Sequence, residues 1–157
     1  MRLAVGDPAP DFALPDATGR IVRLSDFATR RLVLYFYPAD LTPGCTTEAC
    51  EFNDELAALA DLGADVVGIS PDPAARHHEF VARHGLSLTL LSDLDRSVMR
   101  AYGAYGDKLL YGKTVTGVIR STFVVGPTGL LEHVWYGVRA AGHAARVRAA
   151  LAAASSS

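Results

Sequence analysis

Residues 31–50 read RLVLYFYPADLTPGCTTEAC, and the change of character at Pro38 decides the fold. Residues 31–37 are almost wholly apolar and rich in aromatic and β-branched side chains, the composition of a central strand buried on both faces. Pro38 ends that run. Thr42 is then a candidate helix N-cap with Pro43 at the first helical position. The apolar spacing carries the helix to about Leu62-Gly63, where glycine can serve as the C-terminal cap.

Downstream the order repeats. A strand at 65–70 (DVVGIS) is followed by Asp72-Pro73 as cap and first turn, and then by a helix to Gly85. A short strand near 88–91 and a helix near 95–102 come next. The segment 103–117, rich in Gly and Tyr, reads as a long surface loop holding Tyr105, Lys108 and Tyr111. Strands at 118–125 and 130–136 are joined by the turn Gly126-Pro127-Thr128-Gly129, and an Ala-rich helix at about 141–153 leads into a serine tail expected to fray. Upstream, residues 11–24 place two short apolar runs around Thr18-Gly19, an N-terminal β-hairpin. The whole predicts one three-layer α/β domain over residues 1–157, with a mixed central sheet and helices on both faces.

Composition sets limits on function. The 157 residues are 50% hydrophobic and 20% charged, with both signs mixed along the chain, which describes a globular protein. A net charge of -2 and the lack of any long basic patch argue against nucleic acid as a partner. Gly6, Asp7 and Pro8 interrupt the N-terminus before an apolar run reaches signal-peptide length, and no stretch approaches a membrane span, so the expected location is the cytoplasm. Cys45 and Cys50, the two cysteines, are too few for a disulfide framework; packing, metal binding and redox chemistry remain.

On a helix turning about 100° per residue, Ala49, Phe52, Leu56 and Leu59 fall within about 40° of Cys45. Cys45 therefore lies on the core-facing stripe. Cys50 points about 140° away, toward Asp54, Ala57 and Asp61. In an intact helix their Cα atoms are about 8.6 Å apart, whereas a disulfide tolerates at most about 7 Å. A bond between them requires the first turns to unwind, which suits a bond made and broken in a cycle. Position separates the two thiols, because the positive end of the helix dipole favours a thiolate at Cys45 more than at Cys50. This makes Cys45 the candidate nucleophile and Cys50 the resolving thiol. Simple packing of a small hydrophobe fits the spacing as well. No histidine pairs with the cysteines at zinc-site spacing, and four intervening residues are too many for a thioredoxin-type pair.

The segment YFYPADLTPGCTTEACEF, residues 35–52, resembles the peroxiredoxins, which share the spacing of Pro38, Thr42 and Cys45. A second cysteine five residues on, here Cys50, marks the subgroup called bacterioferritin comigratory protein or peroxiredoxin Q. GDPAPDFALPD (6–16), GISPD (68–72), LLSD (90–93) and YGKTVTGVIRSTFVV (111–125) extend the resemblance over essentially the whole chain. It implies a thioredoxin-like fold and a thiol-dependent peroxidase. Cys45 would attack hydrogen peroxide or an alkyl hydroperoxide and become a sulfenic acid; Cys50 would then form a disulfide that thioredoxin or a similar donor reduces. No metal, haem or flavin is implied, and the subgroup points to a monomer.

The resemblance also assigns Thr42 to binding the peroxide, Pro38 to shielding the thiolate, Arg120 to activating sulfur and substrate, and Glu48 to orienting Arg120. Cleavage of an O–O bond builds negative charge on the departing oxygen, so a hydroxyl and a guanidinium placed there are chemically apt. Arg120 sits among apolar residues, where an unpartnered charge is costly; an edge arginine reaching water and a solvated first-turn Glu48 are the plainer alternatives. His77, His78 and His84 read as surface or boundary residues, and His143 starts the last helix with no chemistry attached. Two rival functions use the same cysteine pair: a protein thiol–disulfide oxidoreductase, and a redox-sensing binding module.

Overall fold

The computed structural model describes residues 2–155. Five strands form the central sheet in the order β5-β4-β3-β8-β9. β3 (Arg31–Phe36) pairs in parallel with β4 (Ala64–Ser70), which pairs in parallel with β5 (Thr89–Ser92). On the other side β3 pairs antiparallel with β8 (Ser121–Val125), and β8 with β9 (Leu131–Tyr136). β1 (Ala13–Pro15) and β2 (Ile21–Arg23) form the N-terminal hairpin.

Strand alternation divides the core into two layers. Leu32, Leu34, Phe36, Val67, Ile69, Phe123 and Val125 face one side, where they meet the N-terminal hairpin and Val98 and Met99 of α3 (Ser97–Ala101). Val33, Tyr35, Val66, Leu90 and Val124 face the other, under α1 (Pro43–Asp61), α2 (Ala74–His84) and α4 (His143–Ser155). A mixed sheet with helices on both faces and an N-terminal hairpin is the expected arrangement. Gly63 at φ 77° and Gly85 at φ 59° stand just beyond α1 and α2, where a left-handed residue ends a helix.

Four expectations need correction. The predicted surface loop at 103–117 is instead a second hairpin, β6 (Tyr105–Leu110) on β7 (Lys113–Val118). Its two turn residues, Tyr111 and Gly112, both adopt positive φ (52° and 78°), the geometry that matches strand twist in a two-residue turn; a tyrosine at the first of these positions hid the signal. The predicted strand at 118–125 is broken at Ile119 and Arg120, where the chain leaves this hairpin and enters the central sheet. Asp72 does not cap α2, whose N-cap is Pro73; its carboxylate accepts hydrogen bonds from Asp40 N (2.7 Å) and Ser70 Oγ (2.7 Å). His77 is wholly buried, whereas His78 and His84 are exposed as expected. α4 runs to Ser155, and the rest of the serine tail, 156–157, lies outside the described residues.

Candidate active site

The sheet order itself assembles the site. β3 and β4 run in parallel and β8 runs against them, so the segments that follow β3 and β4 meet the segment that precedes β8 at one end of the sheet. This is the carboxyl end of the parallel strands, where open α/β sheets place their ligands. The first segment supplies Pro38, Thr42 and Cys45, the second Asp72 and His77, and the third Arg120.

Pro43 occupies the first position of α1 and lacks an N–H, so the helix begins without wasting a donor. Thr42 is the N-cap, yet its hydroxyl does not cap; it donates to Ala39 O at 2.8 Å. The first helical bond runs from Thr46 N to Thr42 O at 2.8 Å. The Gly44 and Cys45 amides therefore do not donate to the cap side chain, and as first-turn N–H groups they face the positive N-terminal end of the helix.

Cys45 is 1% exposed and lies on the core stripe with Ala49, Phe52 and Leu59. Arg120 reaches it from the link between β7 and β8. Its Nη2 donates to Cys45 Sγ at 3.2 Å, and its Nη1 donates to Glu48 Oε1 at 2.5 Å. A Cβ added to Gly44 would lie 3.4 Å from Nη2, so the guanidinium lies across the first turn of α1. The break at Ile119-Arg120 makes this possible, because Arg120 stands outside the alternation of either strand. Its own backbone is fixed by Val138 N donating to Arg120 O at 3.0 Å.

Glu48, wholly buried, is pulled two ways. Burial pushes its carboxyl up to about 7, against the opposing pull of the Arg120 guanidinium. Burial likewise works against charge on Arg120, but the neighbouring Glu48 and Cys45 prevail and hold its pKa above the ordinary value. Glu48 Oε2 and Tyr35 Oη lack hydrogen-bond partners among the described residues. The Tyr35 ring stacks between those of Tyr37 (5.4 Å) and Phe52 (4.7 Å), beneath the cysteine helix.

Cys45, Glu48 and Arg120 are thus in direct contact, while Thr42 stands one turn before the sulfur. Pro38 is half-buried just past the end of β3. Cys50 departs from expectation. Instead of facing outward on the polar flank it is half-buried, packed against the layer that holds Cys45. Both thiols are free and α1 is continuous through them, so this is the reduced, folded form of the helix. His143 begins α4 buried, 2.8 Å from Thr122 Oγ1, with its pKa pressed down to about 4 by burial and by Arg146 and Arg120.

Sequence reasoning missed one cluster. Tyr37, Asp40 and His77 are bonded to one another and almost wholly buried. The signal for His77 was its place three residues before Phe80 on the apolar stripe of α2; Asp40 carried no such signal. A cavity of about 280 Å³ lined by Leu24, Phe27, Leu32, Val125 and Pro127 lies at the other end of β3 and contains none of the candidate residues.

Comparison with known proteins places this geometry in context. A family model described as AhpC/TSA matches residues 5–134. A putative peroxiredoxin of Mycobacterium tuberculosis is 53% identical over 147 residues, 94% of each chain. The solved bacterioferritin comigratory protein of Xanthomonas campestris, studied as trapped intermediate and ligand complexes for its alkyl peroxide reduction activity, is 41% identical with a TM-score of 0.85 over 90% of each chain. A peroxiredoxin Q mutant of Xylella fastidiosa is 35% identical with a TM-score of 0.92 over 99% of each chain.

Proposed function

The chain belongs to the AhpC/TSA family as a peroxiredoxin with a thioredoxin-like fold, a thiol-dependent peroxidase, and from that footing we infer which of its residues carry the reaction. Cys45 is the peroxidatic nucleophile. The observation that carries this assignment is the Arg120 donor 3.2 Å from its sulfur, on a guanidinium steadied by Glu48 at the start of a helix.

The Cys45 thiolate attacks the terminal oxygen of a hydroperoxide and the O–O bond breaks. The sulfur becomes a sulfenic acid and the alkoxide or hydroxide leaves to take up a proton. The Thr42 hydroxyl, on turning away from Ala39 O, joins the first-turn Gly44 and Cys45 amides and the second face of the guanidinium in stabilising the charge on the departing oxygen. Pro38 keeps water from the thiolate. The Cys50 thiol then attacks the sulfenic sulfur, releasing water and closing a Cys45–Cys50 disulfide, and an external dithiol restores both thiols. We take thioredoxin or a similar protein as that donor, the monomer as the working form and the cytoplasm as the location. No helix among the described residues is long and apolar enough to cross a membrane.

The test treats the reduced protein with slightly less than one equivalent of hydrogen peroxide, followed by a quench within seconds and cysteine mapping by mass spectrometry. A Cys45–Cys50 disulfide in the wild type, sulfenic acid at Cys45 in Cys50→Ser and no reaction in Cys45→Ser are expected. Sustained peroxide consumption with thioredoxin and its reductase separates a peroxidase from a sensor, which need not turn over. Two unreacted cysteines in the wild type overturn the assignment.

A further inference from the structure

Asp40 is held at three points. Its Oδ1 accepts from Tyr37 Oη at 2.5 Å, its Oδ2 lies 2.5 Å from His77 Nδ1, and its backbone N donates to Asp72 Oδ2 at 2.7 Å. Asp40 and His77 are 0% exposed and Tyr37 is 1% exposed. His77 Nε2 lies 3.0 Å from Leu91 O, which can only accept, so Nε2 carries a hydrogen. The Nδ1–Oδ2 contact is a buried hydrogen bond that ties the two residues together. Asp40, Asp72 and His77 bring three potential metal-ligand atoms within 4.8 Å, but all three side chains are already engaged in hydrogen bonds within the protein. The cluster has the form of an anchor.

What it anchors is the chain leading to the nucleophile. Leu41, next in sequence, is a non-glycine residue at φ 65°, a conformation that persists only when its surroundings over-determine it. Thr42 follows, and α1 begins. Beyond the cysteines α1 is fixed again. Glu51 Oε2 accepts from Gly142 N at 2.9 Å, Asn53 Oδ1 accepts from Ser87 N at 2.6 Å, and Glu55 pairs with Arg148 at 2.6 Å. Residues 41–50, with both cysteines, lie between these two fixed ends, with Arg120 bonded to Cys45 and Glu48 between them.

We propose that Asp40, held by Tyr37 and His77, is a positioning residue that keeps the strained Leu41 turn closed. By doing so it sets how readily the first turns of α1 unwind to bring Cys45 and Cys50 together. The proposal rests on the peroxidase reading. A tight anchor favours the folded, peroxide-reactive helix and delays disulfide closure; a loosened one does the reverse. Time spent as an exposed sulfenic acid governs oxidation by a second peroxide, so the anchor also tunes sensitivity to overoxidation.

Two readouts test this on the full chain. Hydrogen exchange of the 46–50 amides in the reduced protein reports unwinding without any chemistry. Rapid-quench mass spectrometry at several peroxide concentrations reports the rate of disulfide formation and the yield of sulfinic acid. In Asp40→Ala, exchange at 46–50 rises and disulfide formation quickens, each on the order of tenfold, with less sulfinic acid and slower reaction of Cys45 with peroxide. Asp40→Asn offers an acceptor to Tyr37 and a donor to Nδ1 of a neutral His77, and returns both readouts toward wild type. Tyr37→Phe, which removes one bond, shifts them in the direction of Asp40→Ala by a smaller factor and serves if Asp40→Ala does not fold. Folded variants with unchanged exchange and unchanged partition overturn the proposal, as does a failure of Asp40→Asn to restore either. A wild type that forms no disulfide overturns the peroxidase reading instead, and the exchange data still judge the anchor.

Discussion

Cys45, Arg120 and Glu48 form a small electrostatic unit in which each member conditions the next. Arg120→Met removes the donor on the sulfur, the one proposed to serve the departing oxygen as well, and its second-order rate with hydrogen peroxide, followed by stopped flow, should fall by about 10²–10³-fold. Glu48 makes stability depend on pH. Its folded value is near 7 against an ordinary 4.5, so the folded chain binds that proton more tightly than the unfolded chain. The resulting stabilisation is complete below pH 4.5 and is lost as pH rises through 7, a fall on the order of 3 kcal/mol. Urea unfolding at several pH values should show this slope in the wild type and its loss in Glu48→Gln. All three residues were singled out in the sequence, Cys45 by its place on the helix and Arg120 and Glu48 by the family resemblance. Their contact was not, because Arg120 lies 75 residues from Cys45 and reaches it only through the break between β7 and β8.

The cysteine helix depends on the strands beneath it. A Cβ at Gly68 in β4 would lie 2.7 Å from Tyr35 Cζ and 2.9 Å from Leu90 Cδ2. Gly68→Ala should therefore cost about 1–3 kcal/mol by overpacking. It should also slow peroxide reduction, because the displaced Tyr35 ring stacks on Phe52 of α1; paired urea and stopped-flow measurements test both effects. In the β6–β7 hairpin, Gly112→Ala places a side chain at φ 78° and should cost about 1 kcal/mol in urea unfolding. β3 and α1 were readable because a continuous apolar run and a 3.6-residue period are local signals. The second hairpin was not, since Gly106, Gly112 and Gly117 mask its alternation and its pairing is a property of two segments together.

The two core layers join the site to the stability of the molecule as a whole. Phe52, 0% exposed, packs in the layer that holds Cys45, so Phe52→Ala should cost about 3–5 kcal/mol and lower the melting temperature measured by circular dichroism. The sequence by itself determined the class of fold, the β3–α1 and β4–α2 units and the N-terminal hairpin, and it singled out the residues proposed to carry the chemistry. The elements follow from periodicity and capping, the order of the two cysteines from helix geometry, and the remaining site residues from the resemblance that the spacing of Pro38, Thr42, Cys45 and Cys50 carries, all signals local along the chain. Only the tertiary structure decided that Arg120 meets Cys45 and Glu48, that Cys50 is half-buried, and that Asp40 and His77 meet in a buried hydrogen bond. Each of these depends on how β3, β4 and β8 pair. Burial and hydrogen bonding between segments 37 or more residues apart are set by that pairing, and no local pattern records it.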